Sequence, residues 1–192
     1  MEETPPDVTE VSRTVLDMIK KAKKNIKIIQ PYVQNVDELE NLLVEAIEKR
    51  GVEVEIVTAR IRDQPVYRTF LNSDIFRFLK DKENTRVYEE PYKFLHMKAV
   101  VVDDGKYITL GSFNQDIWSW YCNNEANILL VNEKADPNNP TLAHRTFLQV
   151  FNNLKRECRP VDMNEQYSPM GYIENMMWKV CLGCSYFVGR NR

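Results

Sequence analysis

The sequence predicts an α/β domain, a mixed βαβ sheet flanked by helices on both faces. Three observations predict it. Short apolar runs alternate along the chain with amphipathic stretches at helical spacing. One run, Ala99-Val100-Val101-Val102, is apolar at every position, as a strand covered on both faces must be. The 192 residues are 43% hydrophobic and 28% charged, which suits one domain with a sizeable core.

The elements follow in order. Residues 1–7 read as an acidic, proline-bearing tail, and 8–160 as the domain. Val8, Val11, Val15, Ile19 and Ala22 recur at helical spacing, so 8–24 reads as a helix. Asp7 with Glu10 resembles a capping box, and Lys20, Lys21, Lys23 and Lys24 suit the negative end of the helix dipole. Residues 25–30 read as a strand ending at Pro31-Tyr32. Asn35 with Glu38 marks a second helix that runs to Arg50 and stops at Gly51; Leu39, Leu42, Leu43 and Ile47 form its buried stripe. Residues 52–57 alternate as a half-buried strand.

A polar loop with Arg60, Arg62 and Pro65 leads to a predicted helix over 67–82, which turns Phe70, Ile75, Phe76, Phe78 and Leu79 inward. Residues 86–88 are a short strand. Strands are then predicted over 95–103, 107–110 and 123–131, with turns at Asp104-Gly105 and from Gly111 to Asn114. Pro137 and Pro140 break the chain before a helix over 141–156. Residues 161–192 read as a tail holding a candidate interfacial helix near 170–182, with Met176, Met177, Trp178, Val180 and Leu182 on one side. No internal repeat is visible.

Charge and cysteine usage narrow the function classes. A net charge of −2 and a pI of about 5.8 argue against a general nucleic-acid surface. The four cysteines, Cys122, Cys158, Cys181 and Cys184, show no disulfide framework, which favours a reducing compartment. A lone Cys181-x-x-Cys184 is weak evidence for a metal. The first residues lack the basic-then-apolar pattern of a signal peptide, and no run of about 18 apolar residues exists to span a bilayer.

The chemistry concentrates in two segments. His96 and Lys98 stand two apart, so on a strand they project to the same side. Buried there, an imidazole and an ammonium need partners. Asn123, Glu125 and Asn127 alternate ahead of an apolar run, which is costly unless they serve a site. Glu125 is placed to accept the Nδ1–H of His96, which would leave Nε2 free as a nucleophile. Lys98, Asn114 and the Ser112 hydroxyl are placed to bind anionic oxygens. Lys98 fills the cation role, so no metal or cofactor is called for. The other histidine, His144, lies on an amphipathic helix without a Lys two residues on and reads as structural.

His96-x-Lys98, four residues, Asp103, then Gly111-Ser112-x-Asn114 resembles the HKD signature of the phospholipase D superfamily. The resemblance extends through Asp116, Ser119, Asn123, Glu125 and Asn127 to the C-terminal HKD half of bacterial-type cardiolipin synthases. Ala22 to Ile26 with Pro31-Tyr32, and Arg50-Gly51-Val52-x-Val54, resemble that family upstream. The resemblance covers roughly residues 8–160. It implies a phosphodiester chemistry in which His96 forms a phosphohistidine or acts as general acid, Lys98 and Asn114 bind phosphate, and Glu125 orients His96. Asp103 is counted with the catalytic set as a motif member, although in the family this Asp is usually structural. Two departures stand out. Seven residues separate Asp103 from Gly111 where six are common, and Trp118 stands where an Arg is common in the synthases.

The resemblance also implies a second HKD copy, from a homodimer mate or from an N-terminal half not present here. The expected activity is phosphatidyl transfer on a phosphatidylglycerol-like lipid. The expected location is peripheral on a membrane surface, on its intracellular side or in mitochondria. The alternatives are a single-motif phosphodiesterase or nuclease working as a homodimer, and a half-domain without turnover.

Overall fold

The computed structural model describes residues 8–34, 36–59, 78–132 and 141–162. Seven strands form one mixed sheet: β1 (Asn25–Gln30), β2 (Glu53–Ala59), β3 (Thr85–Glu90), β4 (Ala99–Val102), β5 (Tyr107–Gly111), β6 (Asn127–Val131) and β7 (Arg159–Pro160), in the order β6-β5-β4-β1-β2-β3-β7. β1, β2 and β3 run parallel. β4, β5, β6 and β7 each join antiparallel to a neighbour. The N-terminal end of β4 therefore meets the C-terminal end of β1, where Ala99 pairs with Ile29.

Helices α1 (Glu10–Lys21) and α2 (Asp37–Val44) cover one face of the sheet, burying Val15, Ile19, Leu39 and Leu43 against Ile26, Ile28, Ile56 and Val100. Helix α4 (Leu142–Glu157) covers the other, setting Phe147 and Phe151 against Ile29, Val57 and Val101. The predicted layering is what forms, and all four residues of β4 are buried.

Several boundaries differ from the sequence reading. α1 starts at Glu10 because Thr9 caps it, its hydroxyl accepting from the Ser12 amide at 3.3 Å. The expected partner Asp7 lies outside the described residues. α1 ends at Lys21, since the Lys23 and Lys24 amides turn to the Asp103 carboxylate at 2.8 and 2.7 Å. The Arg50 guanidinium supports that end by donating to the Lys20 and Ala22 carbonyls at 2.8 and 2.6 Å. α2 passes into a π-helical turn over Glu45–Lys49 before Gly51 reverses the chain at φ 67°. A short helix, α3 (Ile117–Tyr121), had not been expected; Asp116 caps it by accepting from the Ser119 amide at 2.9 Å.

The strand expected over 95–103 is ordered as β only from Ala99, and that over 123–131 only from Asn127. β7 pairs two residues, Arg159 and Pro160, beside β3. Of the predicted helix over 67–82, Phe78 and Leu79 are described and helical. Asn35, Arg60, Arg62 and the segment holding Cys181, Cys184 and the candidate interfacial helix lie outside the described residues. Among the described residues, no helix is long and apolar enough to cross a membrane.

His144 is buried at the start of α4, where its ring packs against Gly105. The Thr141 hydroxyl pairs with its Nδ1, and burial lowers its pKa.

Candidate functional site

The site forms where the chain crosses the C-terminal ends of the parallel strands. The segment from Pro91 to Lys98 carries the chain from β3 over to β4, which passes the intervening β1 and β2. His96 and Lys98 stand at the end of that crossing, just ahead of β4. His96 is exposed, and Lys98 is buried with 8% of its surface accessible. The Lys98 ammonium lies 2.8 Å from His96 Nε2 and 3.0 Å from the His96 carbonyl. An ammonium only donates, so Nε2 is the acceptor here and the ring proton resides on Nδ1.

Aromatic rings support the imidazole from outside. Phe94 lies 5.8 Å from the His96 ring at 30°, and Tyr32 lies 6.2 Å from Phe94. Neither ring featured among the expected site residues. Phe94 stands two positions before His96, a spacing that offered a signal.

Glu125 approaches from the β5–β6 side. It receives hydrogen bonds from the Ser112 hydroxyl, from the Ser119 hydroxyl at 2.7 Å and from the Asn123 amide at 3.4 Å. The expected bond from Glu125 to His96 Nδ1 is not made, because the two serines and Asn123 occupy the carboxylate. Glu125 instead acts on Lys98 through its charge. Burial pushes the Lys98 pKa down, and the Glu125 and Asp116 carboxylates oppose that shift without cancelling it. Burial pushes Glu125 up, yet its three hydrogen bonds and the Lys98 charge outweigh this and hold the carboxyl below its ordinary range.

Ser112, though exposed, is engaged by its neighbours: its hydroxyl accepts from the Ala126 amide at 3.0 Å while donating to Glu125. In this arrangement it braces Glu125. Asn114 Oδ1 is buried and has no hydrogen-bond partner, as befits a polar group kept for a ligand. Gln30 fixes the turn between them, donating to the Phe113 carbonyl at 3.1 Å and accepting from the Gln115 amide at 3.3 Å. Gly111 admits the close crossing of β6: a Cβ there would lie 2.2 Å from the Ala126 carbonyl.

Asp103 is the motif member the fold does not bring to this place. It follows β4 at the opposite end, five residues and about 16 Å of strand beyond Lys98. Its carboxylate accepts the two backbone amides that close α1, and its φ is 52°. Its contacts join the α1–β1 turn to the β4–β5 turn, the structural role that the family resemblance implies for it.

Ser119 and Asp116, which the family resemblance covered without giving them a role, join the site. The Asp-x-x-Ser spacing of a helix cap was a second signal for them. The arrangement holds a nucleophilic nitrogen, a buried cation beside it, an orphaned amide oxygen and a carboxylate that sustains the cation. It can bind an anion and attack it.

Comparison with known proteins identifies the family and the fold. Residues 15–153 match the family described as "Cardiolipin synthase, PLD-like domain". The cardiolipin synthase of Clostridium perfringens is 34% identical over 131 residues, 67% of this chain and 26% of that protein. That of Geobacillus thermodenitrificans is 32% identical over 146 residues, 76% of this chain and 26% of that protein. The chain thus spans about a quarter of the length of the curated relatives it matches.

Two solved structures share the fold. Nuc of Salmonella typhimurium, a phospholipase D family member, superposes with a TM-score of 0.61 at 21% identity, covering 81% of this chain and 98% of that one. The phosphatidylserine synthase of Haemophilus influenzae superposes with a TM-score of 0.66 at 18% identity, covering 94% of this chain and 44% of that one. With the His96-x-Lys98 site at the end of the sheet and the match running through the body of the domain, the chain belongs to the PLD-like domain family of cardiolipin synthase.

Proposed function

We propose that this domain carries out phosphatidyl transfer of the cardiolipin synthase type, with His96 as the nucleophile and a second HKD copy completing the site. The observation that carries the proposal is the 2.8 Å contact between Lys98 Nζ and His96 Nε2. It puts a cation on the nitrogen that must meet phosphorus. A phosphodiester oxygen arriving at Lys98 takes over the ammonium's hydrogen bond and frees the Nε2 lone pair. Nε2 then forms a P–N bond as the P–O bond to the leaving alcohol breaks. Lys98 and Asn114 steady the charge that gathers on the non-bridging oxygens.

One histidine does not serve well as both nucleophile and acid in the same step. The leaving oxygen therefore takes its proton from the histidine of the second copy. That histidine next accepts the proton of an incoming hydroxyl as it attacks phosphorus and the P–N bond breaks. The chain spans about a quarter of the length of its curated relatives, which supports a partner copy, whether from a homodimer or from the same polypeptide. A site working on membrane lipids also suits a domain held peripherally at the membrane surface.

The test is to incubate the purified chain with phosphatidylglycerol carrying a labelled phosphate, and separately with DNA. Labelled protein stable to base and labile to acid is expected with the lipid, along with a transferred phosphatidyl product, and neither with His96→Ala. Cleavage of DNA without action on lipid would replace the reading with a phosphodiesterase; undiminished turnover by His96→Ala would remove the assignment of the nucleophile.

A further inference from the structure

Beside His96, the turn that follows β3 holds two large aromatic side chains out of the fold. Tyr92 is 86% exposed and Phe94 is 46% exposed, with the exposed Lys93 between them. This turn is pinned at both ends. The buried Glu90 carboxylate accepts the backbone amides of Tyr92, at 3.1 Å, and of Lys93. Leu95 is buried on the far side. A buried carboxylate is thus committed to a turn whose outward product is an exposed tyrosine and lysine, so the exposure is built in.

A second apolar surface stands at the same end of the sheet. Ile117 and Trp118, on α3, are 42% and 61% exposed. The Ile117 amide donates to Gln34 Oε1 at 3.0 Å, which fixes the start of α3 just past the end of β1. Tyr92 lies just past the end of β3, parallel to β1 through β2. Exposed apolar side chains therefore flank the mouth where His96 is accessible.

We propose that Tyr92 and Lys93, together with Ile117 and Trp118, dock this end of the domain on an anionic phospholipid surface. The inference rests on the lipid reading given above and adds the contact by which the site reaches its substrate. A two-chain lipid stays in its bilayer, so the nucleophile must be brought to the head groups. Tyr and Trp carry an apolar ring with one polar end and settle at the boundary between hydrocarbon and water. Lys93 adds attraction to an anionic leaflet. The competing occupant is a second copy of the chain, but an exposed lysine flanked by aromatics fits a membrane better, since lysine is depleted from protein interfaces.

The experiment is co-sedimentation of the full chain with vesicles of phosphatidylcholine, with and without phosphatidylglycerol, beside an assay on soluble short-chain phosphatidylglycerol. Binding is expected only with the anionic lipid. It should weaken roughly tenfold in Tyr92→Ser/Trp118→Ser and in Lys93→Glu, while Tyr92→Ser keeps its rate on the soluble substrate. Equal vesicle binding by the variants overturns the proposal. So does a change from dimer to monomer on size exclusion caused by Tyr92→Ser, which would make the turn a contact between copies. Turnover of the short-chain lipid with no vesicle binding sinks this surface alone; vesicle binding with no turnover sinks the catalytic reading and leaves the surface standing.

Discussion

Lys98 and His96 share a hydrogen bond of 2.8 Å, so the cation of the site rests on the imidazole Nε2. In the free protein each occupies the other. Lys98 keeps Nε2 in its acceptor form, and Nε2 offsets part of the cost of burying the ammonium. On the proposed reading, an incoming phosphate exchanges with Nε2 at Lys98, which would couple substrate binding to release of the nucleophile.

Lys98→Met tests that coupling. Methionine keeps the stem and removes the charge. Loss of one charge-stabilising donor commonly costs about 10²–10³ in rate, and that loss is expected here in the rate of phosphohistidine formation. Quench-flow with labelled lipid measures it. A loss confined to KM would place Lys98 in substrate binding alone.

The pH profile should carry the signature of Lys98 burial. Desolvation lowers its pKa from the ordinary 10.5, and the Glu125 and Asp116 carboxylates pull the other way. The folded protein therefore binds fewer protons than the unfolded chain in the window just below 10.5, so stability rises with pH there. Activity behaves oppositely, since it needs the ammonium. Its alkaline limb is expected below 10.5 and should move lower still in Glu125→Gln, which removes one of the two opposing charges. An alkaline limb that stays put in Glu125→Gln would break the link between these residues.

Asp103 makes the contrasting case. Its carboxylate accepts two backbone amides at the far end of β4. Asp103→Ala leaves those amides without their acceptor, and about 1–3 kcal/mol of stability should go with it. The rate of the folded variant at saturating substrate should stay within about twofold of the parent, since no Asp103 contact reaches His96 or Lys98. Thermal melts and kcat, taken together, check it. A collapse of kcat at unchanged Tm would return Asp103 to the chemistry.

The contrast also explains what could be read before folding. The fully apolar run of β4 and the helical stripes of α1 and α2 are local patterns, and they specified a two-sided sheet directly. His96 and Lys98 do come within hydrogen-bond reach, although the strand that was to carry them begins only at Ala99. What could not be read was competition among partners. Glu125 had several donors within reach of its carboxylate, and only the three-dimensional placement of Ser112, Ser119 and Asn123 decides against His96 Nδ1. Asp103 shows the related limit that closeness in a motif is not closeness in space: an extended chain carries five residues out of reach of His96 and Lys98. α3 escaped notice because five residues are too few for a helical period, and its cap at Asp116 was the single local sign.

Gln115 offers the last test. Its side chain is fully buried, and neither its Oε1 nor its Nε2 has a hydrogen-bond partner. Its backbone, by contrast, is well used: the amide donates to Gln30 and the carbonyl accepts from Gln34 at 2.7 Å. The side-chain amide thus bears the desolvation cost without the return, while the backbone fixes the turn whatever side chain is attached. Gln115→Leu keeps the approximate volume and removes both orphan atoms, so it should stabilise the fold by about 1–2 kcal/mol. For a chain of this size that raises Tm by roughly 2–8 °C. Calorimetry of the variant decides. A lower Tm would mean that the amide is satisfied in solution, and that this buried glutamine helps hold the turn carrying Asn114.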